Sequence, residues 1–233
     1  MTVNEVIDRL RALESPENAE GMKRFGITSA KTLGIPTPVL KQLAKEVRSC
    51  ASDRHALALE LWATGIYDAR AIAFLIDDPK LVSRKQMDDW ARDFDNWATV
   101  DGACGNLFCR TPFAYEKAVE WIGRKHEFVK RAGFSLMAYL AIHDKKAVDE
   151  KLAEFLFLIE EHSGDDRNFV KKAVNWALRQ IGKRSLALNR LAIESAERIA
   201  EQGSGSARWI ASDALRELRS EQVQTRLQNK ATK

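Results

Sequence analysis

The sequence predicts an all-α chain of helix pairs stacked into a solenoid. Three observations carry that expectation. Ala, Leu, Glu, Lys and Arg dominate the 233 residues, with only five prolines and twelve glycines, a bias that favours helix. Almost every segment repeats its apolar residues at helical period, and no segment alternates as a strand does. The helices are of similar length and the connections short, so pairs recurring about every 40 residues read as stacked repeats of the HEAT-like kind, with an extended concave surface. A compact helical bundle without repeats satisfies the same pattern.

Taken in order, residues 3–20 read as one amphipathic helix. Residues 21–35 read as a short helix with turns, around Phe25-Gly26 and Leu33-Gly34. Thr37-Pro38 opens a helix to about Cys50, with Thr37 as cap and Pro38 in the first turn. Asp78-Pro79 repeats the device ahead of the helix leading to Trp97, and Thr111-Pro112 repeats it before residues 113–123. Further helices are expected over about 53–64, 68–77, 125–142, 146–161, 167–182, 185–202 and 206–227. No linker divides the chain, which reads as one all-helical domain over 1–233, with a polar, frayed tail over about 222–233.

Charge narrows the class of partner. Residues 167–233 hold 14 Lys and Arg against 6 Asp and Glu, whereas residues 1–166 hold the remaining 23 against 27. A basic C-terminal third suggests a polyanion, nucleic acid above all. A solvated basic surface is the plainer reading and fits the charge equally well. Cys50, Cys104 and Cys109 make neither a metal-ligand spacing nor an even framework, which fits a reducing cytoplasm. The N-terminus carries no signal pattern, and no apolar run nears the roughly 20 residues that span a bilayer.

Chemistry concentrates at Asp95-Asn96-Trp97-Ala98-Thr99-Val100-Asp101. Trp97 and Asp101 stand four apart, so on a helix an indole and a carboxylate share a face. Extended backwards, that face collects Trp90 and Phe94. An aromatic stripe at this spacing is usually core. An unpaired carboxylate is costly to bury, so Asp101 either caps a helix or faces a groove with work to do.

The segment Phe169–Lys183 adds a second aromatic. Val170, Ala173, Val174, Ala177, Leu178 and Ile181 gather on one side of its helical wheel, and Lys172, Trp176, Arg179 and Lys183 on another. An indole among cations suits a nucleic-acid surface, or a boundary residue that shields its neighbours' stems. In the segment Lys125–His143, Arg131 falls opposite the stripe of Val129, Ala132, Leu136 and Leu140, with small Ser135 and Ala138 beside it. Ser206-Ala207-Arg208-Trp209 opens a helix whose free N–H groups could hold a phosphate, or whose start Ser206 simply caps. Lys183-Arg184 occupies a similar inter-helix position. No phosphate-binding glycine loop, HExxH or GxSxG is present, and the four histidines form no triad, so neither a metal nor a nucleophilic mechanism is indicated.

The chain resembles the bacterial DNA alkylation-repair glycosylases of the AlkD type. The resemblance rests on Leu33-Gly34-Ile35-Pro36-Thr37-Pro38-Val39-Leu40-Lys41-Gln42-Leu43-Ala44-Lys45, on Trp97 to Asp101, on Lys130-Arg131-Ala132, and on the run Phe169 to Arg179. It spans roughly residues 20–220. It implies a HEAT-like solenoid with a concave basic groove. The implied activity is hydrolysis of the N-glycosidic bond of cationic N3- and N7-alkylated purines in duplex DNA. By the same resemblance, Trp97, Asp101, Arg131 and Trp176 line a DNA-facing groove, and the damaged nucleotide stays against that groove rather than entering a pocket. The family's prototype has a tyrosine near the stretch matching Met22–Ile27, where this chain has Phe25.

The residues suit that chemistry. A cationic purine leaves as a neutral base and needs no general acid. Positive charge develops on the sugar, where Asp101 can stabilise it and orient water. Trp97 and Trp176 can offer aromatic faces worth ~0.5–2 kcal/mol each. Arg131, Lys172, Arg179, Lys183, Arg184 and Arg208 are the candidate phosphate contacts. No metal or organic cofactor is expected, and the protein is expected to act as a monomer. A non-catalytic HEAT-like module that binds nucleic acid, or a protein-binding scaffold, is the alternative.

Overall fold

The computed structural model describes Met1–Thr232; the last residue of the chain lies outside the described residues. Among these, fourteen α-helices and one 3-10 turn occur, with no strand. They gather into two compact units, Met1–Phe113 and the residues from Ala114 onward.

The first unit contains α1 (Val3–Arg11), α2 (Pro16–Lys23), α3 (Thr37–Cys50), α4 (Arg54–Ala63), α5 (Tyr67–Ile76), α6 (Arg84–Arg92) and α7 (Trp97–Asn106), then the 3-10 turn Phe108–Arg110. Caps set most of these starts. Thr2 and Glu5 form a capping box at α1, and Ser15, Asp53, Ser83 and Asn96 cap α2, α4, α6 and α7. The single helix expected over 3–20 is therefore two, because Ser15-Pro16 restarts the chain. Residues 24–36 contain no helix. Thr37 is already the first residue of α3, behind Pro36, and makes no cap bond. Asp78-Pro79 forms a turn, with Asp78 accepting from Lys80 N–H at 3.0 Å, and Ser83 starts α6 instead.

An aromatic stack lies within the core of this unit. Trp62 lies flat on Trp90 with centroids 4.0 Å apart, and Phe94 meets Trp62 by its edge at 6.2 Å. Beside it, Asp68 is fully buried and accepts from Leu33 N–H at 2.6 Å and Ile35 N–H at 3.0 Å. These bonds draw the long connection between α2 and α3 against α5. Gly34, between the two donors, has φ +76° and a Cβ there would stand 2.3 Å from the Ser15 carbonyl oxygen. Both its backbone shape and its closeness to α2 therefore demand glycine.

The second unit contains α8 (Ala114–Ile122), α9 (Glu127–His143), α10 (Asp149–Glu161), α11 (Asn168–Gly182), α12 (Leu186–Glu201), α13 (Gly205–Leu218) and α14 (Glu221–Ala231). Here α9 packs on α8 and α11, α11 on α13, and α10 on α12. Four hydrogen bonds between alternate helices share one offset. Arg131 to Phe169, Asn175 to Asp213, Arg179 to Glu217 and Arg198 to Glu160 are each 38 residues apart. That recurring offset is the register of a stacked repeat. The single helix expected over 206–227 is broken at Arg219-Ser220, where Ser220 caps α14. Nor is the stretch after Gln222 frayed as expected. It is helical to Ala231 and buries Val223 and Leu227, because leucine and valine one turn apart give it an apolar face to pack. No helix among the described residues is long and apolar enough to cross a membrane.

Asp68→Asn removes one of two acceptors for buried N–H groups. We expect a loss of roughly 1–3 kcal/mol in urea unfolding monitored by circular dichroism; an unchanged midpoint would show that these bonds do not hold the α2–α3 connection.

Candidate functional site

The start of α7 is set by a buried asparagine that sequence reasoning did not single out. Asn96 Oδ1 accepts from Thr99 N–H at 2.9 Å, while Nδ2 donates to Thr99 Oγ1 at 2.9 Å and to Ser29 Oγ at 2.8 Å. This locks the helix to begin at Trp97 and puts Asp101 one turn further in. Asp101 is therefore not the helix cap; Asn96 is. The backward extension of the stripe also fails. Helix α6 ends at Arg92, and Trp90 and Phe94 belong to the core. Trp97 and Asp101 are both half-buried. They form a separate indole–carboxylate pair on consecutive turns.

Trp97 is pinned. Its Nε1–H donates to the Phe25 carbonyl at 2.7 Å. Phe25 itself is 71% exposed, at a turn completed by Gly26 with φ 77°. Behind this contact lies a cleft of about 1040 Å³, walled by Phe25, Tyr67, Phe74 and Trp97, with Glu17 and Glu20 of α2 also lining it. Gly102 contributes to the wall, and a Cβ on it would stand 2.4 Å from Phe74 Cζ. Burial, with Asp68 and Asp95 nearby, pushes the Tyr67 phenol up to about 12, so it is a neutral hydrogen-bonding group at physiological pH. The sequence held no sign of this cleft, because its walls come from four helices and a loop far apart along the chain.

In the second unit, Arg131 is buried; its Nη1 donates to the Phe169 carbonyl at 2.8 Å. The expectation that it projects opposite an apolar stripe, with open space at Ser135 and Ala138, does not hold. Both small residues are fully buried, because α8 and α11 pack on α9 and leave it little solvent face. Arg184 is buried too, donating to the carbonyls of Ala141 at 3.2 Å and Ala147 at 3.1 Å. Its guanidinium is committed within the fold rather than offered to a phosphate.

Helix α11 carries the remaining candidates. Trp176 is half-buried and stands edge-on to Tyr139, centroids 5.0 Å apart. The Gln180 amide, oriented with its oxygen accepting, takes Trp176 Nε1–H at 3.1 Å. Lys172 is exposed. Arg179 and Lys183 both pair with Glu217, each at 2.6 Å. On α13, Arg208 is exposed and reaches back to the Gly203 carbonyl. Ser204 caps this helix, not Ser206, whose hydroxyl donates to the Asp165 carbonyl at 2.7 Å. A further basic–aromatic pair was missed: Lys171 Nζ lies 5.1 Å from the Trp209 ring centroid, and Trp209 is 40% exposed. Their 38-residue separation is the repeat offset, a signal that became readable only once that offset was known.

Comparison with known proteins agrees with this architecture. Residues 6–218 match the family described as DNA alkylation repair enzyme, and the chain belongs to that family. Its fold is similar to a solved structure reported as a new family of proteins related to the HEAT-like repeat DNA glycosylases with affinity for branched DNA structures. The two share 25% identity at a TM-score of 0.72, over 85% of this chain and 83% of that one. No curated protein matches the chain. The class is thus an all-helical, HEAT-like DNA-repair protein.

Arg184→Met deprives two carbonyls of a charged donor. We expect a loss of ~1–3 kcal/mol in thermal or urea unfolding, with no change in the salt dependence of DNA binding; a shallower salt dependence would return Arg184 to the DNA surface.

Proposed function

We propose that the protein is a DNA N-glycosylase that releases cationic N3- and N7-alkylated purines from duplex DNA. The observation that carries this reading is the Trp97–Asp101 pair. A half-exposed carboxylate sits one helical turn from an indole whose orientation is fixed by its bond to the Phe25 carbonyl. Such a pair suits a reaction whose transition state is cationic on the sugar.

In this reading the C1′–N bond breaks with its electron pair moving to the purine, which leaves neutral. The sugar becomes an oxocarbenium ion. Asp101 stabilises that charge at close range. Water then adds to C1′, and its proton passes through the Asp101 carboxylate to solvent. The products are the free base and an abasic site. Trp97 offers its face to the cationic sugar, and the half-buried Trp176 contributes an aromatic contact to the DNA. Lys172 and Arg208, with Lys171 beside Trp209, supply phosphate contacts that position without reading sequence. Arg131 and Arg184 serve instead by holding repeats together. No metal or organic cofactor takes part, and the chain acts as a monomeric cytoplasmic domain.

A second reading has an observation of its own. The structural relative is described by affinity for branched DNA. In that reading the protein binds DNA junctions and excises nothing.

One assay separates the two. Methylated duplex DNA is incubated with wild type and Asp101→Asn, and free 7-methylguanine and 3-methyladenine are measured. We expect release by wild type and at least a 100-fold loss in the variant, in keeping with removal of a transition-state charge partner, while duplex binding survives. Absence of release by wild type, with tighter binding to a four-way junction than to duplex, would establish the second reading.

A further inference from the structure

The seam between α11 and α13 sets two acids against the cations of α11. Glu217 Oε2 receives Arg179 Nη1 at 2.6 Å and its Oε1 receives Lys183 Nζ at 2.6 Å. Asp213 Oδ2 lies 3.5 Å from the same Arg179 nitrogen and accepts from Asn175 Nδ2 at 2.7 Å. Burial opposes ionisation of Glu217, but the Lys183 hydrogen bond and the Arg179 charge outweigh it, holding its carboxyl below the usual value. It is therefore charged at neutral pH.

Two features distinguish this seam from an ordinary structural ion pair. It is accessible: the side chains of Arg179, Lys183 and Glu217 keep 29%, 19% and 29% of their exposure. It is also incompletely satisfied. Arg179 Nε and Asn175 Oδ1 are buried without a hydrogen-bond partner, and they are the two such side-chain atoms among the described residues. They lie one turn apart on α11. Turning the Arg179 guanidinium towards the acids thus leaves a buried donor unused. A second anion arriving from solvent competes for a group that its present partners do not fully satisfy. The exposed Lys172 lies two turns along the same helix from Arg179, so the competitor these groups favour is an extended polyanion.

We propose that Glu217, with Asp213, restrains DNA binding by occupying Arg179 and Lys183 in the free protein and releasing them to backbone phosphates when duplex DNA docks. The proposal rests on the reading above only in requiring that the chain bind duplex DNA. It is independent of base excision. The consequence is weaker binding to undamaged DNA than the basic α11 surface alone would give. The restraint also reduces salt dependence, because carboxylates freed on docking recapture cations that the phosphates release.

The test is fluorescence-anisotropy binding of an unmodified duplex across a salt series, for wild type, Glu217→Gln and Asp213→Asn, each checked for folding by thermal melting. We expect Glu217→Gln to bind roughly tenfold tighter at low salt, with a slope of log K against log salt steeper by about 1. Asp213 also pairs with the exposed Arg216, so Asp213→Asn is made in an Arg216→Gln background, where it should move in the same direction by less and keeps the test open if Glu217→Gln fails to fold. In a background of Arg179→Gln and Lys183→Gln, adding Glu217→Gln should give no gain. The same gain in that background would mean simple repulsion between Glu217 and DNA, and would overturn the proposal. So would folded variants that bind no tighter than wild type. Failure of wild type to bind any duplex would instead overturn the DNA-binding reading, and this proposal with it.

Discussion

Short stacked helices create a problem that this protein solves repeatedly. The C-terminal end of every helix leaves backbone carbonyls without an intrahelical partner, and burying one unpaired is costly. Arginines from neighbouring segments take up these carbonyls. Arg48 donates to Leu75 in the last turn of α5. Arg70 donates to Asp93 just beyond α6 at 3.1 Å. Arg184 reaches Ala141 in the last turn of α9 at 3.2 Å and Ala147 beyond it. Arg167 reaches the Lys125 carbonyl, in the connection between α8 and α9, at 2.7 Å. The guanidinium suits the task because its several donors lie in one plane on a long stem. These bonds tie neighbouring helices together alongside apolar packing.

This changes how a basic surface is read. A count of Lys and Arg treats each cation as available to a polyanion. Here some of the cations that the wheel placed off the apolar stripe are spent inside the fold. Arg131 and Arg184 face backbone carbonyls, and Arg179 and Lys183 face Glu217. What remains exposed on α11 and α13 is a smaller set, Lys172, Arg208 and Arg216, the last paired with Asp213, together with the Lys171–Trp209 pair. A surface with few exposed cations would depend on contact geometry more than on bulk charge.

The Trp97–Asp101 pair depends on the same economy of buried polar groups. Asn96 uses both ends of its amide, starting α7 with its oxygen and tying down Ser29 and Thr99 with its nitrogen. The loop so tethered carries Phe25, whose carbonyl fixes the Trp97 indole. Asp68 anchors the other end of that loop through Leu33 and Ile35. The candidate reacting carboxylate therefore sits on a rigid helix, while its aromatic partner is oriented by a loop that two buried side chains hold in place.

By itself the sequence determined the helical class, most helix spans of eight residues or more, and the pairing of Trp97 with Asp101. Each is a matter of local periodicity, and a spacing of four on a helix needs no tertiary information. The boundaries at Ser15-Pro16 and Ser220 were also written locally, as capping residues, but the periodicity on either side masked them. Tertiary structure alone decided which cations face solvent. A helical wheel assumes one buried face, and α9, packed by α8 and α11, has little else. It alone decided the 38-residue register that brings Arg179 to Glu217 and Lys171 to Trp209, because that offset is a sum of helix and loop lengths. The cleft behind Trp97 is likewise tertiary, since its walls meet only when α2, α3, α5 and α7 are packed.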